Sequence, residues 1–254
     1  MKKIIAFTTG FLFGWSVSAQ EIPSQTRGIE KSAAVGVEYR IKAGIALGGI
    51  SPLPLPEEIR SIEGFNPGLN LSVEGEMLKL FKDKWGLAFG LRLETRGMST
   101  DAKVKNYWTV MQLEGQQMQG YFWGGVKTDV NNSFLTLPVS AVWKFNERWG
   151  VKFGGYGSYA LKRSFSGSTY DGYFRAETPT GIYFEIDEIN YDFSNDMRKW
   201  YWGLQAGGEW RAFSHLIVSV DLSWGMNSIF NKEFEAIAFK MFPIYGTLSF
   251  GYTF

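Results

Sequence analysis

The sequence contains no cysteine and a single histidine, and its charges nearly cancel. Without cysteine the chain has no disulfides, no thiolate metal ligands and no lipid-modified N-terminal cysteine. Lysine and arginine total 26 against 25 aspartate and glutamate residues, which gives a net charge of +1. Because a nucleic-acid-binding surface needs a marked basic excess, this composition predicts no nucleic-acid partner.

The chain also lacks an apolar run long enough to cross a bilayer as a helix, which takes about 20 residues. Its longest apolar segment, 4–15, follows two lysines and precedes small residues that end at Ala19. This pattern is typical of a secretory signal peptide, with a membrane-anchoring helix as the weaker alternative. We therefore predict a signal peptide at 1–19 that is cleaved near Ala19, a loose periplasmic segment at 20–36, and a barrel domain at 37–254.

Aromatic residues, 17% of the chain, and 30 glycines are abundant, and many of them lie in segments that alternate apolar and polar side chains. A period of two indicates β-strands with chemically different faces. Eight such segments follow one another along the chain. The predicted strands are 37–49, 65–78, 85–97, 134–145, 149–161, 199–211, 215–227 and 242–254.

The connections between these strands alternate between short and long. The connections at 81–84, 146–148 and 212–214 are three or four residues long, whereas the other four run from about a dozen to over thirty residues. This asymmetry is typical of bacterial outer-membrane barrels. The predicted fold is therefore all-β, an eight-stranded antiparallel transmembrane up-and-down β-barrel with short periplasmic turns and long extracellular loops.

One face of each predicted strand is bulky and apolar, and the other is rich in glycine, serine, threonine and charge. In a membrane barrel the apolar face contacts lipid and the polar face lines the interior. Eight strands leave room only for their own side chains, so the interior charges must pair. We interpret them as a plug of salt bridges, with a narrow ion path or gate as the alternative. The predicted lumen charge network consists of Arg40, Lys42, Glu74, Glu76, Arg92, Glu94, Arg96, Lys144, Lys152, Glu209, Arg211 and Asp221.

Aromatic residues gather near the ends of the predicted strands, on the apolar face. Membrane barrels carry aromatic girdles at both lipid–water interfaces. A general preference of aromatic residues for strands is the alternative explanation. The predicted girdles contain Trp85, Trp143, Trp149, Trp200, Trp202, Trp210, Trp224 and Tyr252.

Three local patterns carry a family resemblance. The pattern F-x-x-x-W-G-x-x-F-G begins at Phe81 and again at Phe145, L-T-L-P-V begins at Leu135, and the last strand ends in Phe254. From about Val37 onward the chain resembles the small outer-membrane barrels of Bacteroidetes-type bacteria, the PorT-like family. The resemblance implies an eight-stranded outer-membrane barrel and implies that Phe254 is the signal read by the barrel-assembly machinery. One branch of that family is linked to protein secretion, and no functional residues carry over.

The third long loop, 162–198, combines seven carboxylates with several tyrosines. Clustered carboxylates favour Ca²⁺, but no Asp-x-Asp-x-Asp-Gly spacing is present. The tyrosines favour stacking on sugars or contact with an envelope protein. The alternation at 182–187 predicts a hairpin that extends the barrel above the membrane. The second long loop, about 98–132, is interpreted as a surface loop without chemistry.

The single histidine argues against catalysis. His215 is predicted at a periplasmic turn, away from the long loops, and hydrolytic or acyl-transfer chemistry usually needs a histidine base. We predict a non-enzymatic, monomeric barrel in contact with outer-membrane lipid and without a cofactor or metal. Its external loops scaffold or dock partners, in a secretion or envelope-assembly system. A narrow channel for ions or small solutes is the first alternative, and a lipid-modifying enzyme is the second.

Overall fold

The computed structural model describes residues 36–254 apart from 82–83, 114–115, 235 and 238. The predicted signal peptide and nearly all of the predicted periplasmic segment lie outside these residues. Among the described residues no helix is long and apolar enough to cross a membrane. The strands are β1 (Val37–Pro52), β2 (Ile59–Asn66), β3 (Asn70–Leu80), β4 (Trp85–Leu113), β5 (Gln116–Lys144), β6 (Trp149–Lys162), β7 (Phe165–Ala176), β8 (Tyr183–Asp192), β9 (Trp200–Arg211), β10 (Leu216–Gly225) and β11 (Met241–Thr253).

Eight of these strands close a ring. The order around it is β1, β3, β4, β5, β6, β9, β10 and β11, and β11 pairs back with β1. All neighbours in the ring are antiparallel, and short turns join β3 to β4, β5 to β6, and β9 to β10. The ring confirms the predicted all-β barrel of eight antiparallel strands.

The wall of the ring has an apolar outside and a polar inside. On β1, Ile41 is 53% exposed whereas the neighbouring Arg40 is 2% exposed. The inside is crowded, which explains its small residues. A Cβ at Gly44 would lie 2.8 Å from the carbonyl oxygen of Leu248 and 3.0 Å from Ser72 Oγ, so a larger residue does not fit there.

Five neighbouring strands of the ring continue outward beyond it. Asn66 at the end of β2 lies opposite Ser99 on β4, and Ser72 near the start of β3 lies opposite Glu94. The two ladders follow each other with a shift of one residue. Strands β2 and β3 are therefore one long line along β4, broken at 67–69.

The same continuation occurs on the other side of β5. Lys162 at the end of β6 lies opposite Ser133, and Phe165 at the start of β7 lies opposite Val130, in the same register. Strand β8 pairs with β7 and continues the line of β9, which pairs with β6. We call this continuation, composed of β2, β7, β8 and the distal parts of β4 and β5 (99–113 and 116–130), the outer sheet.

The outer sheet corrects one sequence prediction and confirms another. The described residues of segment 98–132 do not form a loop, because 98–113 on β4 pairs with 116–130 on β5 as a hairpin. A β-bulge between Val104 and Tyr107, where Asn106 has a φ of 58°, interrupts its register and bends the strand. The predicted hairpin in 162–198 is confirmed as the β7–β8 pair.

The β10–β11 connection, described at 226–234, 236–237 and 239–240, lies over the open end of the ring. We call it the cap loop. Thr109 on β4 donates a hydrogen bond to the Ala236 carbonyl oxygen at 3.0 Å, and Met197 forms a backbone bridge with Phe230. An apolar cluster, to which the cap loop itself contributes Ile229 and Phe230, lies beneath the rest of the cap loop at this level of the ring. Its buried members are Ile50, Met98, Val130, Phe134, Ala160, Phe165, Met197, Tyr201, Ile229, Phe230 and Met241.

Candidate functional site

The structure places the twelve predicted lumen charges on the inside of the ring and brings them together. Ten of them are buried, with relative exposures between 2% and 8%. The other two, Lys144 and Arg211, lie at the periplasmic rim, where their side chains are 17% and 28% exposed. The alternation of each strand produces this arrangement, because every second residue points into the ring.

Arg40 is the centre of the periplasmic half of this network. Its Nη1 atom lies 3.1 Å from Glu76 Oε1 and 2.9 Å from Glu209 Oε2, and its Nη2 atom lies 2.7 Å from Glu38 Oε2. These partners come from β1, β3 and β9, so one guanidinium connects strands from opposite sides of the ring. Arg40 contacts three carboxylates, more than any other cation among the described lumen charges, so its loss would remove the most ion pairs at once.

The network continues along β3 and β4. Lys42 Nζ lies 2.9 Å from Glu74 Oε1 and 2.5 Å from Glu76 Oε2. Arg92 donates from Nε to Glu74 and lies 3.7 Å from Glu94 Oε2 through Nη1. Each of these five charges contacts two charges of opposite sign, so none depends on a single partner residue.

Two further contacts lie at the end of the network that is nearest the outer sheet. Arg96 Nη2 donates to Glu94 Oε2 at 2.7 Å, and its guanidinium lies 4.4 Å from the centre of the Tyr245 ring. Thr136 Oγ1 donates to Glu94 Oε1 at 2.8 Å. Beyond this level the interior becomes apolar, at the cluster beneath the cap loop.

The opposite wall supplies a third row of charge. Lys152 Nζ lies 2.9 Å from Asp221 Oδ1 and 3.6 Å from Glu209 Oε1. Glu209 also contacts Arg40, so β6, β9 and β10 join the same network. The ring is thus crossed by a continuous set of paired charges.

Sequence reasoning missed one member, Glu38. Its carboxylate lies 2.9 Å from Lys144 Nζ and 2.8 Å from Arg211 Nη2, in addition to Arg40. Glu38 shares the parity of Arg40 and Lys42 on β1, so the alternation carried the signal. Its position at the start of the strand hid it.

All eight predicted girdle residues lie on the outer surface and are at least 39% exposed. Near the periplasmic turns Trp85 stacks on Trp143 at 5.7 Å between ring centres, and Trp149 stacks on Trp210 at 5.9 Å. These are cross-strand pairs in register, which stabilise a sheet directly.

The outward face of the outer sheet carries a second arrangement, an aromatic stripe that sequence reasoning did not identify as a unit. Strand alternation separates this face from Phe122 and Phe174, which are buried on the inward face. The guanidinium of Arg175 lies 5.7 Å from the ring centre of Tyr173 and 5.5 Å from that of Tyr183, two members of the stripe. In order across β4, β5, β7 and β8 the stripe is Trp108, Tyr121, Trp123, Tyr173 and Tyr183, with successive ring centres 5.0, 6.3, 5.0 and 5.3 Å apart.

The alternation of 126–130, where Lys127 and Asp129 separate Val126, Thr128 and Val130, was the available sequence signal for the part of the β4–β5 hairpin that carries the stripe.

The carboxylates of the third loop do not converge. No group of three or more potential metal ligands occurs in the part of the chain that the structure describes.

Tyr170 donates to Asp101 Oδ1 at 2.6 Å, across the outward face of the same sheet. This hydrogen bond raises the pKa of Tyr170 to about 12, so the phenol stays neutral. The contact links β7 to β4 and stiffens the outward face beside the stripe.

His215 lies where the sequence predicts it, in the turn between β9 and β10. Its Nδ1 atom lies 2.8 Å from the carbonyl oxygen of Thr253, and its ring stacks on Tyr252 at 5.2 Å. These contacts give His215 a structural role in holding the turn against the last strand.

The chain belongs to the outer membrane protein beta-barrel domain family, whose model matches residues 19–231. No curated protein matches it. Among solved structures it is similar in fold to Ail of Yersinia pestis in complex with the heparin analogue sucrose octasulfate, with 11% identity, a TM-score of 0.38, and coverage of 86% of this chain and 99% of Ail. Neisserial surface protein A is 11% identical, with a TM-score of 0.32 and coverage of 86% of this chain and 96% of that protein. OprG of Pseudomonas aeruginosa is 14% identical, with a TM-score of 0.28 and coverage of 85% of this chain and 95% of OprG. These likenesses concern the fold alone.

Proposed function

We propose that this protein is a non-enzymatic outer-membrane barrel that docks an envelope protein through the outward face of its outer sheet. The observation that carries the proposal is the aromatic stripe with Arg175 at its end. Tryptophan, tyrosine and arginine are the residues most enriched where protein interfaces concentrate their binding energy. The 162–198 segment supplies Tyr173, Arg175 and Tyr183, and the β4–β5 hairpin supplies the rest.

The strands that carry the stripe also favour binding. Its members stand on strands that continue the barrel wall, so the partner meets a surface that is already ordered. Preorganisation of this kind reduces the entropy lost on association. Strand β8 is the last strand of the sheet among the described residues, and Glu185, Asp187 and Glu188 are exposed along it. Acidic edge strands discourage pairing between copies, which supports a monomeric barrel.

A narrow channel has less support. The lumen is crossed by buried, mutually paired charges, and the apolar cluster beneath the cap loop lies above them. An ion that passed through would have to separate these pairs, at high energetic cost. Stable openings in planar bilayers that are abolished by Arg92→Ala or Glu74→Ala would favour the channel instead.

Finer assignments extend the same proposal. We also propose that the protein belongs to the PorT-like group of a Bacteroidetes-type host, that it acts in secretion or envelope assembly, and that Phe254 is recognised during assembly, as the family resemblance implies. Cleavage of a signal peptide near Ala19 is proposed from the pattern of the N-terminal residues. Mass spectrometry of the mature N-terminus tests the cleavage. Loss of membrane insertion on removal of the terminal aromatic ring, as in Phe254→Ala, tests the assembly signal.

Photo-crosslinking in native outer membranes tests the docking proposal. A photoreactive phenylalanine replaces Tyr173 in the stripe, and the matched control replaces Phe213, an aromatic residue that is 72% exposed at a periplasmic turn. We expect a defined protein adduct from Tyr173 and a different pattern, or none, from Phe213. Arg175→Ala should weaken the Tyr173 adduct. Absence of an adduct at Tyr173 and at a second stripe position, Tyr121, would overturn the proposal.

A further inference from the structure

A large cavity lies between the outer sheet and the cap loop. Its volume is about 1120 Å³, slightly above the roughly 300–1,000 Å³ usual for small-molecule sites. The inward faces of β2, β4, β5, β7 and β8 form one wall, and Ala236, Ile237 and Phe239 of the cap loop form part of the other. The cavity is separate from the charge network and from the aromatic stripe, which lies on the opposite face of the same sheet.

The lining is neutral and largely apolar. Asp192 is the one charged residue among the described lining residues; it is exposed, and two hydrogen bonds from Ser194 keep its pKa below the usual range. Burial raises the pKa of Tyr191 to about 12, so this phenol is uncharged. An anionic ligand, such as a nucleotide or a phosphate, finds no partner of opposite charge among the described lining residues.

The polar groups of the lining are mostly engaged with one another. Thr128 Oγ1 and Tyr191 Oη lie 2.7 Å apart, and Tyr191 also donates to the Lys127 carbonyl oxygen at 2.7 Å. Thr109 donates to the cap loop through Ala236. With these hydroxyls satisfied, the cavity offers an occupant mainly apolar contact, from Val104, Val126, Ile189, Ile237 and Phe239 among others.

The wall beside the cavity contains a break in strand pairing. Strand β1 pairs with β3 only as far as Ala46 and Asn70, and from there to Pro52 it pairs with β11 alone. On the facing side β2 pairs with β4 alone. Two side chains rather than a backbone ladder close this break. The backbone N–H of Ile50 on β1 donates to Met98 Sδ on β4 at 3.1 Å, and a Cβ at Gly49 would lie 2.7 Å from Met98 Sδ and 3.2 Å from the Phe65 ring.

The break opens at the level of the membrane surface. Gly49 pairs with Ile244, which pairs with the girdle residue Trp224. The surroundings are apolar and exposed: Leu47 is 65% exposed and Phe65 is 55% exposed. Phe65 and Gly49 also line the cavity, so the break connects an apolar membrane-facing surface with an apolar interior.

We propose that this cavity binds a long alkyl chain, which enters sideways from the outer leaflet between β1 and β2 past Phe65. The proposal is independent of the docking function. It commits to one chemistry, the alkyl chain, which a membrane lipid and a free fatty acid share. The neutral lining, the size of the cavity and the position of the break at the membrane surface all favour this chemistry over a soluble polar ligand.

Photolabelling of the full chain in detergent-free nanodiscs tests this inference. The probes are a fatty acid with a diazirine near the end of its chain and, in a separate arm, a phospholipid with the same chain. Peptide mass spectrometry locates the adducts. We expect adducts on cavity-lining residues, and the arm that yields them identifies the source of the chain. Adducts confined to lipid-facing residues such as Leu222 in both arms would overturn the proposal.

Substitutions within one strand provide the matched control. Ala102 lines the cavity, whereas Lys103 is exposed on the other face of β4. Ala102→Trp should reduce cavity labelling about tenfold, equivalent to about 1.4 kcal/mol, and Lys103→Trp should leave it unchanged. Phe65→Ala should speed labelling because it removes the exposed one of the two side chains that close the break. Equal labelling of the Ala102 and Lys103 variants would contradict the assignment.

Folding is checked separately by the heat-modifiable mobility of each variant in gels. If Ala102→Trp does not fold, Thr100→Trp replaces it, because Thr100 lines the same wall. Ser99, the neighbouring position on β4, is then the control site. Equal labelling of the Thr100 and Ser99 tryptophan variants would likewise contradict the inference.

Discussion

Two regions of the interior differ in chemistry although β4 and β5 run past both of them. We call the part of the ring that holds the charge network the lower lumen, and the cavity between the outer sheet and the cap loop the outer cavity. In the lower lumen the inward positions hold buried charges that contact one another, as Arg40 contacts Glu76 and Glu209. In the outer cavity the inward positions of the same strands hold residues such as Ala102 and Val126, and space remains between them. The ring is closed at the lower level, whereas only five strands continue at the upper level.

This difference shows what closure does to a wall of alternating strands. A closed ring of eight strands is narrow, so inward side chains meet across it and must be complementary. Where three of the strands stop, the remaining sheet has no facing wall except the cap loop. Side chains such as Thr128 then contact only their neighbours, and a ligand-sized volume is left.

The largest effect is expected from breaking the lower network at its centre. Arg40→Met leaves Glu38, Glu76 and Glu209 without a shared cation, and loss of one partner of a buried pair costs about 3–5 kcal/mol. Urea unfolding in lipid vesicles, followed by gel mobility, measures this free energy of unfolding. The control Arg211→Met removes a partly exposed cation and should cost at most about 1 kcal/mol. Equal losses would show that the network is not the stabilising feature of the lower lumen.

The comparison also requires that the outside of the wall faces lipid. Leu222 is 55% exposed on the outer surface at mid-strand, next in alternation to the inward Asp221. Leu222→Arg should reduce the free energy of unfolding in lipid by about 2–4 kcal/mol, because it places a charge near the bilayer midplane. Leu222→Phe is the control and should be tolerated. An arginine variant as stable as the wild type would mean that the facing of β10 is misassigned.

A smaller effect distinguishes the packed interior from the open one. Ala88 is 2% exposed within a buried cluster with Leu78 and Val142, so Ala88→Trp overpacks it and should cost about 1–3 kcal/mol. Ala102→Trp places the same ring in the outer cavity and should change the unfolding free energy much less. Both are measured by the urea titration used for Arg40. A reversed order would show that the cavity is closed in the membrane.

The barrel itself could be predicted from the sequence because its signal is local. Each strand carries its own alternation, as in Arg40, Ile41 and Lys42, and each short turn ends it. The facing of the charges followed from the same parity. Glu38 was missed because a single charge at the edge of a pattern is ambiguous.

The outer sheet and the cavity could not be predicted in the same way. Between 98 and 132 the alternation is interrupted by the bulge near Asn106 and by Gly124 and Gly125, so the segment resembles a loop. The cavity depends on which strands extend beyond the ring while their neighbours end, and this is set by the register of all the strands around the ring. The aromatic stripe has the same origin, because its five rings come from four strands.

Strand β2 continues the line of β3, β7 that of β6, and β8 that of β9, each with almost the same register against its neighbouring strand. This continuation also has a mechanical consequence. In β4 (Trp85–Leu113) and β5 (Gln116–Lys144), no linker separates the part of each strand outside the membrane from the part within it. A load applied at the tip of the β4–β5 hairpin therefore acts along its hydrogen-bond ladder in shear, where many bonds resist together. Because β4 and β5 also form part of the ring, a pull on their outer parts would be transmitted along the wall towards the opposite side of the membrane.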